Sequence, residues 1–262
     1  MKFIVLTIFP ELLEAFWENG IMRRAVGSGT IEALAINIRD YARGRHQVTD
    51  DRPYGGGCGM VMKPEPLSAA IDAARQAAPT APVIMLTPQG VPFDQRGAAE
   101  LAGKRELILV CGRYEGIDER VAARYVDAEI SIGDYVLTGG ELPAMVIMDA
   151  VTRLIPGALG NEDSADQDSF SNQRLDHAQF TRPPEFEGQE VPPVLLSGHH
   201  EAITRWRQRD ALMRTLVKRP DLLYNADLSP EEIRFLEKWR LEIEQITLRQ
   251  GLRGVDPSSG GG

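Results

Sequence analysis

Residues 131–145, "SIGDYVLTGGELPAM", are the stretch that decides how this chain is interpreted. An apolar run stops at Gly133 and Asp134, resumes briefly, and breaks again at Gly139 and Gly140 before a second apolar stretch. Glycine permits positive φ in tight turns, and it also lets a ligand approach the main chain closely. The stretch therefore either needs unusual turns or holds a ligand, and the segments around it bear on the choice.

Short strand-like runs alternate with amphipathic stretches through the first 155 residues. The patterns "PLSAAIDAARQAA" and "QRGAAELAG" predict helices, and residues 141–155 continue with apolar positions at helical spacing until Pro156 and Gly157. This alternation predicts an α/β fold with a mostly parallel sheet covered by helices. The strand-like runs are "KFIVLTIF", "EALAINI", "PVIMLT", "ELILVC" and "AEISI".

The composition changes after Gly157, where Gly, Ser and acidic residues replace apolar ones up to about Gln173. A second unit follows, in which "TRPPEFEGQEVPPVLLSG" is expected to be irregular and helices are expected over about 199–219 and 230–248. Ser229, Pro230 and Glu232 form a capping-box start for the last helix. We predict an α/β domain at 1–160, a flexible linker at 161–173, a small mainly helical domain at 174–248 and a disordered tail at 249–262.

Charge and cysteine content exclude several classes of protein. The 262 residues carry a formal charge of −9, which argues against indiscriminate attraction to nucleic acids or anionic membranes. Cys58 and Cys111 form neither a CxxC pair nor a zinc-ligand spacing, and Cys111 is expected to be buried as a small hydrophobe. The apolar run Phe3–Phe9 is too short for a signal peptide or a membrane span, so we expect a cytoplasmic protein without membrane contact.

Three glycine-containing loops follow predicted strands: "LTPQG", "CGRYEGIDER" and "SIGDYVLTGGE". In open α/β sheets, ligands bind outside the carboxyl ends of the strands. No GxxxxGK[ST] motif and no strand-GxGxxG-helix motif is present, which disfavours a P-loop NTPase and a standard dinucleotide fold. Any single glycine here is explained by turn geometry, but three such loops on one edge favour a shared ligand.

Four stretches together resemble the bacterial tRNA (guanine-37-N1)-methyltransferases of the TrmD family, over Met1 to about Gln245. They are "DDRPYGGGCGMVMKPEP" at 50–66, "LILVCGRYEGIDERV" at 107–121, "SIGDYVLTGGELPAM" at 131–145 and "VPPVLLSGHH" at 191–200. The resemblance implies a SPOUT-type α/β fold with a deep trefoil knot. It also implies methyl transfer from S-adenosylmethionine to N1 of guanine-37, next to the anticodon. Cys58 departs from the proline or other small residue expected there, and its role stays open.

By the same resemblance, the opening stretch is the knot loop, whose backbone holds the adenine and ribose of S-adenosylmethionine. The glycines then serve both the turn and the approach of the ligand. The resemblance also implies a homodimer with active sites at the subunit interface. The implied cofactor-binding residues are Leu86, Thr87, Pro88, Gly112, Tyr114, Ser131, Ile132, Gly133, Asp134, Tyr135, Val136, Leu137, Gly139, Gly140 and Pro143.

Methylating guanine N1 requires a base for its proton, a cation near O6 and a rigidly held methyl donor. The resemblance assigns the base to Asp168 and the cation to Arg153, and it places Glu115 near the methionine end of the cofactor with a link to Mg²⁺. From the residues alone, the acids at 162, 163 and 166 are equal candidates for the base. Arg153 also fits a snorkelling arginine at a helix end, and a lone carboxylate predicts no metal site.

A basic helix is the candidate tRNA contact. Residues 199–219 carry six Lys or Arg against Glu201 and Asp210, a charge of +4 (6 − 2) within an acidic chain. Arg207, Arg214 and Lys218 fall on one helical face, while residues including Ile203, Trp206, Met213 and Val217 are expected to pack. This face suits either solvent or selective phosphate binding. The stretch "RDYARGRH", with Arg39, Arg43, Arg45 and His46, is a second candidate.

Three other functions compete with this interpretation. A related knotted enzyme would methylate another RNA base or a ribose hydroxyl. A noncatalytic RNA-binding protein would retain the fold without Asp168 or Arg153, and both residues are present. A nicotinamide-dependent oxidoreductase would share the α/β alternation, and binding of NADH rather than S-adenosylmethionine would identify it.

Overall fold

The computed structural model describes residues 1–159, 168–170, 173–224 and 226–250. It divides into two compact units, Met1–Ala165 and Asp166–Gly262. Most of the predicted linker at 161–173 lies outside the described residues, as does the predicted tail from residue 251 onward.

A five-stranded parallel sheet forms the centre of the first unit, in the order β2-β1-β6-β5-β7. All five strand-like runs of the sequence contribute to it, so the prediction of a mostly parallel α/β sheet is confirmed. Two further strands in the described part of this unit, β3 and β4, pair with each other in antiparallel fashion. The strands are β1 (Lys2–Thr7), β2 (Glu32–Asn37), β3 (Asp50–Asp51), β4 (Val61–Met62), β5 (Val83–Pro92), β6 (Glu106–Cys111) and β7 (Ala128–Ser131).

Two helices of the first unit begin at an aspartate N-cap. The Asp94 side chain accepts a hydrogen bond from Gly97 N at 2.8 Å and caps α4, and Asp118 caps α5 in the same way through Arg120 N at 3.0 Å. A short 3₁₀ helix spans Ile38–Tyr41. The helices are α1 (Pro10–Trp17), α2 (Gly20–Gly27), α3 (Pro64–Ala77), α4 (Gln95–Ala102), α5 (Glu119–Tyr125) and α6 (Glu141–Thr152).

Alternating side chains of the central strands build two hydrophobic layers, one on each face of the sheet. In β1, Phe3 and Val5 belong to one layer, which includes residues of α1, α2 and α6. Ile4 and Leu6 belong to the other, which includes residues of α3. Successive strand residues point to opposite faces, so a continuous apolar run results when both faces are covered. Cys111 is fully buried at the end of β6, as predicted.

Helix α6 ends at Thr152, earlier than the predicted end at residue 155. Beyond it, Leu154 N donates to Val151 O at 3.0 Å and Ile155 N donates to Thr152 O at 3.1 Å. These are tighter i to i−3 turns rather than α-helical bonds. Pro156 disfavours the α conformation at the residue before it. The prediction from apolar spacing therefore made the helix too long.

The second unit contains two long helices, and the second of them begins at a capping box. Ser229 N donates to the Glu232 carboxylate at 2.8 Å and Glu232 N donates to Ser229 Oγ at 3.3 Å, which completes the predicted capping box. The prediction of irregular structure over 181–198 is wrong in part, because a two-strand hairpin and a short helix form there. The elements are β8 (Glu185–Phe186), β9 (Gln189–Glu190), α7 (Pro193–Leu196), α8 (His200–Lys218), a 3₁₀ helix (Pro220–Leu223) and α9 (Pro230–Arg249).

The apolar run at the N-terminus forms β1 within the sheet. Among the helices that the structure describes, none combines the length and the apolar character needed to cross a membrane.

Candidate functional site

The loops that follow β5, β6 and β7 meet at the carboxyl edge of the sheet and enclose a cavity of about 350 Å³. Strand β5 pairs with β6 on one side and with β7 on the other, so the three loops are neighbours. This is the position at which open α/β sheets bind ligands, and the volume lies within the range of small-molecule sites.

The cavity brings together the predicted cofactor-binding residues, with the exception of Asp134. Glu115, predicted to lie near the cofactor, also lines it. Sequence reasoning missed several wall residues, among them Arg113 and Thr138. The predicted residues in the lining are Leu86, Thr87, Pro88, Gly112, Tyr114, Ser131, Ile132, Gly133, Tyr135, Val136, Leu137, Gly139, Gly140 and Pro143.

Glycines around the cavity serve two different needs. Gly116 and Gly133 have φ of 135° and 144°, so the explanation by positive φ holds for them. Gly140 has φ of −80°, and positive φ does not explain its presence. A Cβ atom on Gly140 would lie 2.6 Å from Cys111 Cα, and one on Gly139 would overlap the Arg113 side chain. These two glycines are required because the loop after β7 packs directly on the loop after β6.

A buried ionic network holds these loops together, and sequence reasoning missed it. Glu141, the first residue of α6, is 1% exposed, and it accepts hydrogen bonds from Thr7 Oγ1 at 2.6 Å and from Arg113 Nε at 2.8 Å. Arg113 also donates through Nη1 to Thr138 O at 3.3 Å and lies over the Phe9 ring, 4.5 Å from its centroid. The network joins the end of β1, the loop after β6 and the start of α6.

The main chain adds further links beside this network. Gly140 N donates to Gly112 O at 2.9 Å, and Arg113 and Gly139 form an isolated antiparallel bridge. Burial raises the pKa of the Cys111 thiol well above its ordinary value, and the nearby Glu141 charge raises it further. The thiol below the cavity is therefore kept neutral and is not poised as a nucleophile.

Glu115 lies against a second glycine-rich loop. Its backbone N donates to Met60 O at 3.0 Å, and a Cβ atom on Gly59 would overlap the Glu115 carboxylate. Gly59 itself has φ of 82°. The stretch "GGGCGM" thus places its main chain beside the carboxylate, while Cys58 is exposed. Among the described residues, no three His, Cys, Asp or Glu side chains gather as metal ligands.

The predicted base and cation belong to different units. Arg153 is the C-cap residue of α6 and is partly buried in the first unit, outside the cavity lining. Asp168 is partly buried in the second unit. Both residues take part in interactions. Their assignment to the chemistry stays a prediction.

The predicted tRNA-binding residues lie on α8. Arg207 and Lys218 are exposed and Arg214 is partly buried. Trp206 is partly buried as expected, but the prediction that Val217 packs is wrong, because this side chain is 67% exposed. Val217 lies in the last turn, where the buried face of α8 has already ended at Thr215. In the first unit, Arg43, Arg45 and His46 of the second candidate stretch are exposed, and Arg39 is partly buried.

Comparison with known proteins identifies the family. Residues 1–225 match the family model described as tRNA (Guanine-1)-methyltransferase TrmD. A tRNA (guanine-N(1)-)-methyltransferase of Desulfatibacillum aliphaticivorans is 59% identical over 259 residues, which cover 99% of each chain. Proteins of the same name from Syntrophotalea carbinolica and Moorella thermoacetica are 55% and 53% identical, over 93% and 97% of this chain and 98% and 99% of theirs. The resemblance carried by the four motifs is confirmed, and the chain belongs to the tRNA (guanine-1)-methyltransferase TrmD family.

Proposed function

We propose that the chain transfers the methyl group of S-adenosylmethionine to N1 of guanine-37 in tRNA, next to the anticodon, and forms N1-methylguanosine. The observation that carries this proposal is the cavity at the carboxyl edge of the sheet. Part of its wall is main chain, because Gly139 and Gly140 let the loop after β7 pack directly against residues 111–113. Tyr114, Glu115 and Tyr135 provide polar groups along the cavity. Such walls suit a nucleoside ligand that is bound largely through backbone groups.

S-adenosylmethionine supplies a methyl group attached to a positively charged sulfur. As N1 of guanine takes up this methyl group, the Asp168 carboxylate would accept the N1 proton. Arg153 donates hydrogen bonds to O6, where negative charge accumulates as the proton leaves. Glu115, beside the loop that contains Gly59, orients the methionine end of the donor.

The proposal includes the knotted SPOUT-type arrangement and a mainly helical tRNA-binding domain. The knot is supported by the path of the chain after β7, which returns across the sheet edge to pair Gly139 with Arg113. It is also supported at Gly90, where a Cβ atom would overlap the backbone of Ile130. Helices α8 and α9 of the second unit support the helical domain.

We also propose a homodimer in which Asp168 of one chain completes the site of the other. Support comes from α6, which buries Ile147, Met148 and Val151 but leaves Leu142 and Val146 56% and 46% exposed. A helix that is apolar all round is usually covered on every side. A second copy of the chain would cover this face.

Mg²⁺ dependence and a cytoplasmic location complete the proposal. A Mg²⁺ ion near Glu115 would need oxygen ligands from water or from the bound substrates, since Mg²⁺ prefers six. The cytoplasmic location follows from the tRNA substrate.

Mass spectrometry of unmodified tRNA incubated with the protein and S-adenosylmethionine tests the proposed function. We expect one methyl group on N1 of guanine-37. Methylation of another base or of a ribose hydroxyl would identify a related enzyme with another target. Binding of NADH in place of S-adenosylmethionine would point to an oxidoreductase and contradict the proposal.

Substituting Gly140 with alanine should weaken S-adenosylmethionine binding on the order of tenfold or more, or about 1.4 kcal/mol. The added Cβ would lie 2.6 Å from Cys111 Cα, so the loop after β7 must move away from β6 and open the cavity wall. Isothermal titration calorimetry measures the affinity.

Gly27→Ala is the matched control, because no atom lies within 4 Å of a Cβ at this position on α2. Its cofactor affinity should equal that of the unsubstituted protein. A Gly140→Ala protein that melts normally and binds the cofactor with undiminished affinity would reject the role of close packing at this wall.

Neutralising the basic face of α8 should weaken tRNA binding and flatten its dependence on salt. We consider Arg207, Arg214 and Lys218 changed together to glutamine. When a phosphate contact is lost, tRNA binding releases fewer counterions. The slope of log K against log[salt] should therefore become less steep by about 0.7–0.9 for each lost contact. Filter binding across a salt series measures the slope, and cofactor affinity should stay unchanged.

A control triple removes the same charge elsewhere in the second unit. Arg205, Lys238 and Arg240 each form an ion pair with a glutamate four residues away on the same helix. Their glutamine variants should leave the salt slope nearly unchanged. Equal slopes for both triples would show that the basic face of α8 is only solvated surface.

A further inference from the structure

The second unit contains its own cavity, of about 790 Å³, between residues 177–184, α7 and α8. Apolar side chains, among them Leu195, Leu196 and Ile203, line part of it. Phe180, Arg182 and Arg207 contribute an aromatic ring and two cations to the same wall. An aromatic ring, two cations and apolar surface in one cavity suit a ligand that has a planar group and a negative charge.

Hydrogen bonds to α8 hold one wall of this cavity in place. Leu175 N donates to Thr215 Oγ1 at 3.0 Å, and Ala178 N donates to Asp210 Oδ2 at 2.6 Å. Thr215 is fully buried. The extended segment before Phe180 is therefore fixed along the helix.

The Phe180 ring packs against its aromatic neighbour Trp206. Its ring lies 6.2 Å from that of Trp206 at an interplanar angle of 59°, and His177 contacts the same indole edge-on at 6.2 Å. Phe180 nevertheless stays 48% exposed. A ring that is braced by its neighbours and open to the cavity is suited to stacking of a nucleobase.

Several other arginines of the second unit are paired with carboxylates, unlike the two arginines of this wall over the described residues. Arg205 pairs with Glu201 at 2.6 Å and Arg219 pairs with Asp221 at 2.6 Å. Over the residues that the structure describes, Arg182 and Arg207 have no carboxylate partner in an ion pair. Their charge is available for a phosphate, whereas an apolar peptide in the cavity would desolvate it without compensation.

We propose that this cavity binds one unpaired nucleotide of the tRNA, with its base stacked on Phe180 and its phosphate contacted by Arg207 or Arg182. The proposal rests on the proposed function, because it extends the tRNA contact from the basic face of α8 to a subsite beside it. The subsite would recognise single-stranded rather than paired RNA.

Substitutions at Phe180 separate stacking from apolar contact. Affinities of the full-length protein are measured for unmodified tRNA, for a short single-stranded oligoribonucleotide and for a duplex of the same sequence. Phe180→Ala should weaken binding of tRNA and of the single strand by about 5- to 100-fold, Phe180→Leu should weaken it nearly as much, and Phe180→Trp should preserve it. Duplex binding and the salt slope should not change.

Two controls accompany these variants. Phe186, on the β8–β9 hairpin and 66% exposed, lies outside the cavity lining, so Phe186→Ala should bind like the unsubstituted protein. Changing Arg182 and Arg207 together to glutamine should lower the salt slope for the single strand by about 0.7 or more, whereas Arg205→Gln should not. Unchanged S-adenosylmethionine affinity and thermal melting verify that each variant is folded.

Two results would overturn the subsite. One is undiminished single-strand affinity in folded Phe180→Ala and Phe180→Leu proteins. The other is a leucine variant as good as the tryptophan variant, which would indicate an apolar occupant such as a peptide. Failure of the proposed function is distinguishable from both, because it would appear in the unsubstituted protein as tRNA without N1-methylguanosine.

Discussion

Asp168→Asn is expected to lower the rate of methyl transfer by about 10²- to 10⁴-fold, because the proposed acceptor of the N1 proton loses its basicity. The amide is nearly the same size as the carboxylate, so affinities for S-adenosylmethionine and tRNA should stay close to those of the unsubstituted protein. Single-turnover kinetics with saturating substrates isolate the chemical step from product release.

The neighbouring acids provide the matched controls for this prediction. Glu162, Asp163 and Asp166 are equally acidic in the sequence, and each is changed to its amide in turn. Their rates should stay within a few-fold of the unsubstituted protein. A large loss at one of them, with Asp168→Asn unaffected, would move the base to that residue.

A mixed dimer then tests whether Asp168 acts on the partner's cavity. One chain carries Asp168→Asn and the other carries Gly140→Val, each inactive as its own homodimer. If the aspartate acts across the interface, the intact cavity of the first chain receives the intact aspartate of the second, and one of the two sites recovers. A purified heterodimer that binds both substrates but shows no recovered activity contradicts action in trans.

Glu141→Ala should destabilise the first unit by about 3–5 kcal/mol, because it leaves the Arg113 charge buried without its partner. The side chains of Arg113 and Glu141 are only 17% and 2% exposed, so water cannot replace the lost carboxylate at little cost. Urea unfolding followed by circular dichroism measures the loss. Thr7 also loses its hydrogen-bond acceptor, which adds to the effect.

A double substitution separates the ion pair from simple packing. Arg113→Met combined with Glu141→Leu removes both charges, and apolar replacements of buried pairs are often neutral or stabilising. The double variant should therefore be more stable than Glu141→Ala. A Glu141→Ala protein as stable as the unsubstituted one would show that Arg113 has found another partner or reached solvent.

The fold was predictable from the sequence where one physical signal acts alone. Parallel strands buried on both faces give continuous apolar runs, and "ELILVC" became β6 with each of its last five residues buried. The signal failed where two rules compete. Leu154 and Ile155 extend the apolar spacing of α6, but Pro156 disfavours helix at the preceding residue, and the chain turns instead.

The part of the candidate site that sequence motifs form was predictable, and the part formed by contacts between distant residues was not. The glycines of residues 131–145 indicated a loop that approaches a ligand, and they line the cavity. The network of Glu141 could not be found in this way, because Thr7 and Arg113 lie 134 and 28 residues away in the sequence. A carboxylate at the start of a helix ordinarily indicates only a favourable helix dipole. The one signal in the sequence is that Glu141 precedes a mostly apolar helical stretch.

The strand order places β1, the earliest of the five strands along the chain, in the interior of the sheet. Strand β1 pairs with β2 on one side, but its other neighbour is β6, so that edge has no partner until Glu106–Cys111 has been synthesised. On the ribosome, the nascent chain therefore carries an apolar strand with an unsatisfied edge through a large part of synthesis. Such edges pair readily with other chains. We therefore expect folding of the first unit to depend on how quickly translation reaches β6, or on a chaperone that covers β1 until then.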